Sequence, residues 1–150
     1  MDNSLCLEVK FYDTVDDVLL KFAVIIARTN GKWVFCKHKE RDTYEVPGGH
    51  RETGETILET AKRELREETG AIDFTIKPVC VYSVTGKTKF NEKADDISYG
   101  MLYIADISSF EEELHSEMEK IIVTEKLVDN WTYPLIQPVL LQHAKEKGFL

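Results

Sequence analysis

Leu5, Leu7, Val9 and Phe11 alternate with polar neighbours, which is the period of a strand with one buried face. Val18 to Ala27 is a denser apolar run interrupted only by Lys21, and it predicts a more deeply buried strand. Asn30-Gly31 supplies the residue pair favoured in a two-residue type I′ turn, and the apolar run Trp33–Cys36 resumes behind it. Together these segments predict a hairpin. A polar stretch, Lys37 to Thr43, leads to Tyr44-Glu45-Val46 and then to Pro47-Gly48-Gly49, read as a break. From Ile57 to Thr69 the chain has no Gly or Pro and is rich in Glu, Leu, Ala, Lys and Arg, so a helix is expected. Thr56 with Glu59 forms a capping box in front of it, and Gly70 is a natural stop. Phe74–Thr85 and Ile97–Ile107 read as strands joined by the polar loop Gly86–Asp96, and Phe110–Glu119 as an acidic loop or short helix. Ile121–Val123 makes a short strand, and Pro134–Lys147 a closing helix with Pro138 near its first turn. The expected class is α/β, a mixed sheet with helices packed on its faces.

Composition narrows the picture. The 150 residues are 43% hydrophobic and 31% charged, the balance of a folded soluble protein, and no linker or repeat divides residues 1–150 into more than one expected domain. Asp+Glu number 27 against 19 Lys+Arg, a net charge of −8, which argues against sequence-independent binding of nucleic acid. Any anionic substrate then needs local basic residues or a metal ion. Cys6, Cys36 and Cys80 are an odd, dispersed set that resembles neither a disulfide framework nor a zinc site, so they are expected to be small buried side chains in a cytoplasmic protein. The N-terminus lacks an apolar signal-peptide core, and Val18–Ala27 is about half the length of a membrane span.

The chemistry concentrates in the first helix. On a wheel with Glu64 at zero, Ile57, Ala61, Leu65 and Leu58 fall at about 20°, 60°, 100° and 120°, while Glu68 falls near 40° and Glu67 near −60°. One carboxylate lies within the apolar arc and two flank its edge. Like charges at this spacing repel, and more so when partly desolvated. A solvated acidic face is one reading. The other is a hard divalent cation, Mg²⁺ or Mn²⁺, shared between carboxylates and substrate phosphates, with the adjacent Pro47-Gly48-Gly49 loop allowing close backbone approach.

The stretch GGHRETGETILETAKRELREETGA, Gly48 to Ala71, resembles the Nudix box, G-x5-E-x7-R-E-U-x-E-E-x-G-U, where U is a bulky aliphatic residue. Gly49, Glu55, Arg63, Glu64, Leu65, Glu67, Glu68 and Gly70 fall in register, and Ala71 is the single departure, at a packing position. The resemblance implies the Nudix α/β/α sandwich with a mixed, mostly antiparallel sheet and a catalytic loop–helix. It also implies Mg²⁺- or Mn²⁺-dependent hydrolysis of a nucleoside diphosphate linked to another moiety. Glu64, Glu67 and Glu68 match the family's metal-binding carboxylates, and Gly48 the position whose carbonyl often joins them. Arg63 matches an arginine that orients a box glutamate, and Glu55 the box's first glutamate, which supports the loop–helix geometry and in some members the metals. Glu64 is the first choice of general base. Family members also recruit a distal acid, for which Glu117 and Glu119 are the candidates here, beside Glu111, Glu112 and Glu113.

Other signals are weaker. Lys37, His38, Lys39 and Arg41 form a basic cluster that either meets substrate phosphates or pairs internally with Glu40 and Asp42. His50 and Arg51 follow the glycines and are candidates for the mouth of the site. Phe22, Tyr44, Tyr82, Phe90, Tyr99 and Tyr103 could each offer a ring to a base, while Trp33 and Trp131 are expected to pack. The stretch from Phe22 to His50 resembles small bacterial nucleoside-triphosphate pyrophosphatases, including the 8-oxo-dGTP type. This makes a (d)NTP or oxidised dNTP the expected substrate, released as monophosphate and pyrophosphate. ADP-ribose, a dinucleoside polyphosphate, or a non-catalytic nucleotide-binding module are the alternatives, with the 5′ end of RNA disfavoured by the acidic balance. The expected assembly is a monomer or homodimer.

Overall fold

The computed structural model describes residues 7–88, 91–112 and 118–150, with positions 118 and 119 as backbone only. Seven strands form one sheet: β1 (Glu8–Tyr12), β2 (Leu20–Thr29), β3 (Lys32–His38), β4 (Gly48–His50), β5 (Ala71–Thr85), β6 (Ile97–Phe110) and β7 (Met118–Thr124). Helix α1 (Ile57–Thr69) and helix α2 (Gln137–Glu146) complete it. The strand order is β1-β5-β6-β2-β3-β7, with β4 alongside β2. Among the described residues only strands β2 and β6 run parallel, so the sheet is mixed and mostly antiparallel.

The Asn30-Gly31 turn forms as its sequence requires, with φ of 50° and 76°, the positive pair of a type I′ hairpin. Beyond it β2 divides its attention. Ala27–Thr29 pair with β3, whereas Phe22–Val24 pair with β4. The expected break at Pro47-Gly48-Gly49 is therefore itself an edge strand from Gly48 onward, and this registers the glycines against the centre of the sheet. Val18, expected at the start of β2, lies in a short 3-10 turn (Asp17–Leu19) and is exposed. The acidic segment after β6 is shorter than expected, because β6 runs on to Phe110 and β7 begins at Met118. The closing helix starts at Gln137, with Pro138 in its first turn, where the missing N–H costs nothing.

Alternation sorts the core into two layers. Ala23, Ile25, Ala27, Val34, Tyr103 and Ala105 face α1, where the three alanines make room for Ala61 and Leu65 of the helix. Ile26, Phe35, Leu102 and Ile104 face α2 and meet Leu140, Leu141 and Ala144. The α1 start is fixed by the full capping box, with Thr56 accepting from Glu59 N–H at 3.1 Å and Glu59 from Thr56 N–H at 2.9 Å. Gly70 ends it in the left-handed region at φ 76°. Leu58, expected in the buried stripe, is 39% exposed instead, and Thr60 and Thr69 take buried positions on the helix. Cys36 and Cys80 are buried free thiols as expected; Cys6 lies outside the described residues. No helix among the described residues is long and apolar enough to cross a membrane.

Candidate functional site

Arg63 is the hub of the loop–helix unit. Its Nε and Nη2 grip Glu55 at 2.7 and 3.0 Å, Nη1 reaches Glu64 Oε1 at 2.7 Å and Glu67 Oε2 at 3.4 Å, and Nη2 also donates to the His50 carbonyl at 2.9 Å. Glu55 accepts in addition from Glu52 N–H and the Thr60 hydroxyl, both at 2.9 Å. Arg63 foremost, and then these donors, lower the Glu55 carboxyl to about 2. Glu55 is therefore consumed in bracing the loop against the helix.

The remaining carboxylates differ in setting. Glu64 packs directly against Gly49: a Cβ at position 49 would stand 2.5 Å from its Cδ and 2.6 and 2.7 Å from its two oxygens. Burial raises the Glu64 pKa, against the opposing pull of Arg63. Glu68 is more deeply placed. Its Oε1 accepts from Gly48 N–H at 2.7 Å, it makes no ion pair among the described residues, and burial drives its pKa well above the ordinary range. Beneath it, the buried Cys36 thiol donates to the Glu68 carbonyl at 3.5 Å. Glu67 is 52% exposed. Among the described residues no three such groups converge into a closed cation cage. The donor set nevertheless suits a hard cation. It is all oxygen, two of its carboxylates are desolvated, and one of those has no cationic partner.

Across the sheet lies a cavity of about 570 Å³, lined mainly by apolar side chains including Phe22, Val24, Val46, Tyr82, Val84 and Leu140. Gly48, Gly49 and His50 also line it, so β4 separates the carboxylates from the cavity by the width of one strand. The His50 ring stands 4.4 Å from that of Phe22 at this rim.

The basic candidates are placed differently from one another. Arg51 is tied up: Nη2 meets Asp17 at 2.8 Å, Nε the Glu55 carbonyl at 2.8 Å, and Nη1 the Asp17 carbonyl at 3.0 Å. Arg41 bonds Glu45 at 3.5 Å and the Tyr133 hydroxyl. Lys37 is 14% exposed and 4.0 Å from Asp42, and Lys39 is exposed away from the cavity lining. Of the aromatic candidates, Phe22 and Tyr82 line the cavity; Tyr103 is buried under α1, Tyr99 leans on Tyr12, and Phe90 lies outside the described residues. Trp131 packs edge-on against Phe35 at 5.3 Å, and Trp33 lies under Arg28. Glu113 and Glu117 fall outside the described residues, as does the side chain of Glu119. Sequence reasoning missed Lys87, Tyr133 and Gln137 on the cavity wall. For Gln137 the one local hint was its place between Pro134 and Pro138, which delays the helix start; Lys87 and Tyr133 carried no such signal.

Comparison with known proteins agrees with this geometry. The NUDIX domain family profile matches residues 19–144. Over 140 residues, 87% of this chain and 84% of the relative, the sequence is 31% identical to a Bacillus subtilis (strain 168) protein provisionally named the 8-oxo-dGTP diphosphatase YtkD. The Bacillus subtilis pyrophosphohydrolase BsRppH, solved as a point variant, superposes with a TM-score of 0.75 at 28% identity, covering 95% of this chain and 92% of that one. A UDP-X diphosphatase shares the fold, with a TM-score of 0.69 at 16% identity over 91% of this chain and 67% of its own. With its box in register on a capped helix and its profile spanning most of its length, the chain belongs to the Nudix family, as a pyrophosphohydrolase.

Proposed function

We propose that this chain, as one Nudix domain over residues 1–150, hydrolyses nucleoside triphosphates to the monophosphate and pyrophosphate. A (d)NTP or an oxidised dNTP such as 8-oxo-dGTP is the favoured substrate. One observation carries the reading: an apolar cavity of nucleoside size opens at the same strand, β4, that backs the carboxylates of α1. A nucleoside seated there would send its phosphates over the strand edge towards Glu64, Glu67 and Glu68. The similarity to the YtkD protein supports the same substrate class.

Those three glutamates, with the Gly48 carbonyl, are the residues to hold Mg²⁺ or Mn²⁺; when bound, such an ion neutralises phosphate charge and acidifies a water. Glu64 is the proposed base, taking the proton of the attacking water at Oε2, the oxygen Arg63 leaves free. Water attacks one phosphorus, the bond from that phosphorus to its bridging oxygen breaks, and pyrophosphate leaves. Glu55 and Arg63 position rather than react, since they are already joined to one another. His50, at the rim, is the best placed of the basic candidates to meet a phosphate.

The test is product analysis with Mg²⁺ over dNTPs, oxidised dGTP, ADP-ribose and dinucleoside polyphosphates, with Glu67→Gln as control. Fastest turnover on a triphosphate supports the reading. Preference for ADP-ribose or a dinucleoside polyphosphate replaces its substrate, and release from none of them marks a binding module.

A further inference from the structure

The cavity carries few polar atoms, and the hydrogen bonds behind two of them fix their polarity. Gln137 is 5% exposed, and its Oε1 accepts from Val46 N–H at 2.9 Å. Turning the amide over would orphan that N–H, so Nε2 is presented as a donor. Ser98 on β6 donates its hydroxyl hydrogen to Asn91 Oδ1. Asn91 is locked the right way round because its Nδ2 donates to the Val84 and Asp96 carbonyls, each at 3.1 Å. With its only hydrogen committed, Ser98 Oγ offers the cavity lone pairs alone. Tyr82 adds a third group. Its ring lies over Gly100, where a Cβ would come within 2.6 Å of the phenol oxygen, and its hydroxyl makes no hydrogen bond among the described residues. Arg28 Nε is the one fully buried, unpartnered side-chain polar atom among the described residues. Gln137 Nε2 and Tyr82 Oη therefore reach open space, and the open space beside both is the cavity.

We infer that Gln137 and Ser98 set the base preference of the site, as a fixed donor and a fixed acceptor that select a keto purine over adenine. The inference rests on reading the cavity as the nucleoside pocket. A guanine-type base presents the O6 acceptor next to an N–H donor, whereas adenine presents an amino donor next to an acceptor nitrogen. The first pattern suits both groups; the second sets donor against donor and acceptor against acceptor. A buried polar group left facing its like costs far more than an absent bond. Keto pyrimidines share the polarity but fill less of the apolar wall. Tyr82 can donate or accept, so it strengthens binding without discriminating.

The decisive experiment measures calorimetric affinities of the full chain for dGMP and dAMP, which requires no turnover. Wild type is expected to bind dGMP at least ~10-fold more tightly. Gln137→Glu keeps the acceptor for Val46 N–H but places an oxygen where the donor stood. It should weaken dGMP by about 10- to 100-fold while leaving dAMP unchanged or improved. Ser98→Ala, which spares Val46, should weaken dGMP alone by roughly 3- to 10-fold, and keeps the test open if the first variant does not fold. Equal wild-type affinities, binding of neither monophosphate, or variants that shift both by one factor overturn the inference. Selective dGMP binding without hydrolysis of any triphosphate sinks the hydrolase reading alone, and triphosphate hydrolysis with base-blind binding sinks this inference alone.

Discussion

Substituting Gly49 by alanine isolates the alignment of Glu64 from its chemistry. The carboxylate is untouched, and the backbone at position 49 is not in the left-handed region, so alanine introduces no torsional strain. Its Cβ would nonetheless stand 2.5 Å from Glu64 Cδ, about 0.9 Å inside the 3.4 Å at which ordinary contact begins. The flexible glutamate is the partner that yields, and in moving it stretches the 2.7 Å bond from Arg63. A shift of that size at a reacting group is worth about 100-fold in kcat. The folding cost is that of mild overpacking, about 1 kcal/mol, because the atoms met are the far end of a flexible, mostly buried glutamate that can shift. Steady-state kinetics on a deoxynucleoside triphosphate, beside a thermal melt, therefore should show kcat down about 100-fold with KM and Tm little changed. Combining Gly49→Ala with Glu64→Asp should give less than the product of the single effects, since the two sites touch. Turnover of Gly49→Ala within twofold of wild type would refute the role given to Glu64 and its cradle.

Three further outcomes follow from the same geometry. Glu55 has a folded pKa of about 2, below its unfolded value of 4.5, so its stabilising effect is complete above the latter and lost as pH falls through the former; the stability gap between wild type and Glu55→Gln in urea melts should be constant above pH 5 and narrow towards pH 2, and a pH-independent gap would contradict this. Glu68 is shifted the other way by burial, so its ionisation weakens the folded chain as pH rises above the ordinary carboxylate range; in EDTA, Glu68→Gln should melt higher than wild type at pH 7.5, by a margin that shrinks at pH 4, while losing turnover. Arg51→Ala should lower Tm and leave KM unchanged, because its guanidinium is bound to Asp17 and Glu55; a raised KM with an unchanged Tm would restore Arg51 to the substrate site.

Much of this was legible in the chain because it is local. The α1 boundaries, the capping box at Thr56 and Glu59, and the Asn30-Gly31 hairpin depend on residues a few positions apart. The carboxylate face was legible for the same reason, through helical period. Two things were not. Pro47-Gly48-Gly49 has the composition of a break, yet pairing with Ala23 and Val24 makes a strand from Gly48 onward, a tertiary effect that overrides local propensity. The cavity wall was equally hidden, since Gln137 meets Val46 across 91 positions of sequence and Tyr82 meets Gly100 only through strand register. Arg51 shows the converse: directly behind the glycines it reads as a candidate for the mouth of the site, but Asp17 from 34 residues upstream claims it.

The most direct test of the central claim is phosphorus NMR of dGTP with wild-type chain in Mg²⁺, with EDTA and Glu67→Gln as controls. Pyrophosphate and dGMP should appear in equal amounts, with neither control forming them at a comparable rate. Orthophosphate with dGDP, or undiminished hydrolysis in EDTA, would contradict it.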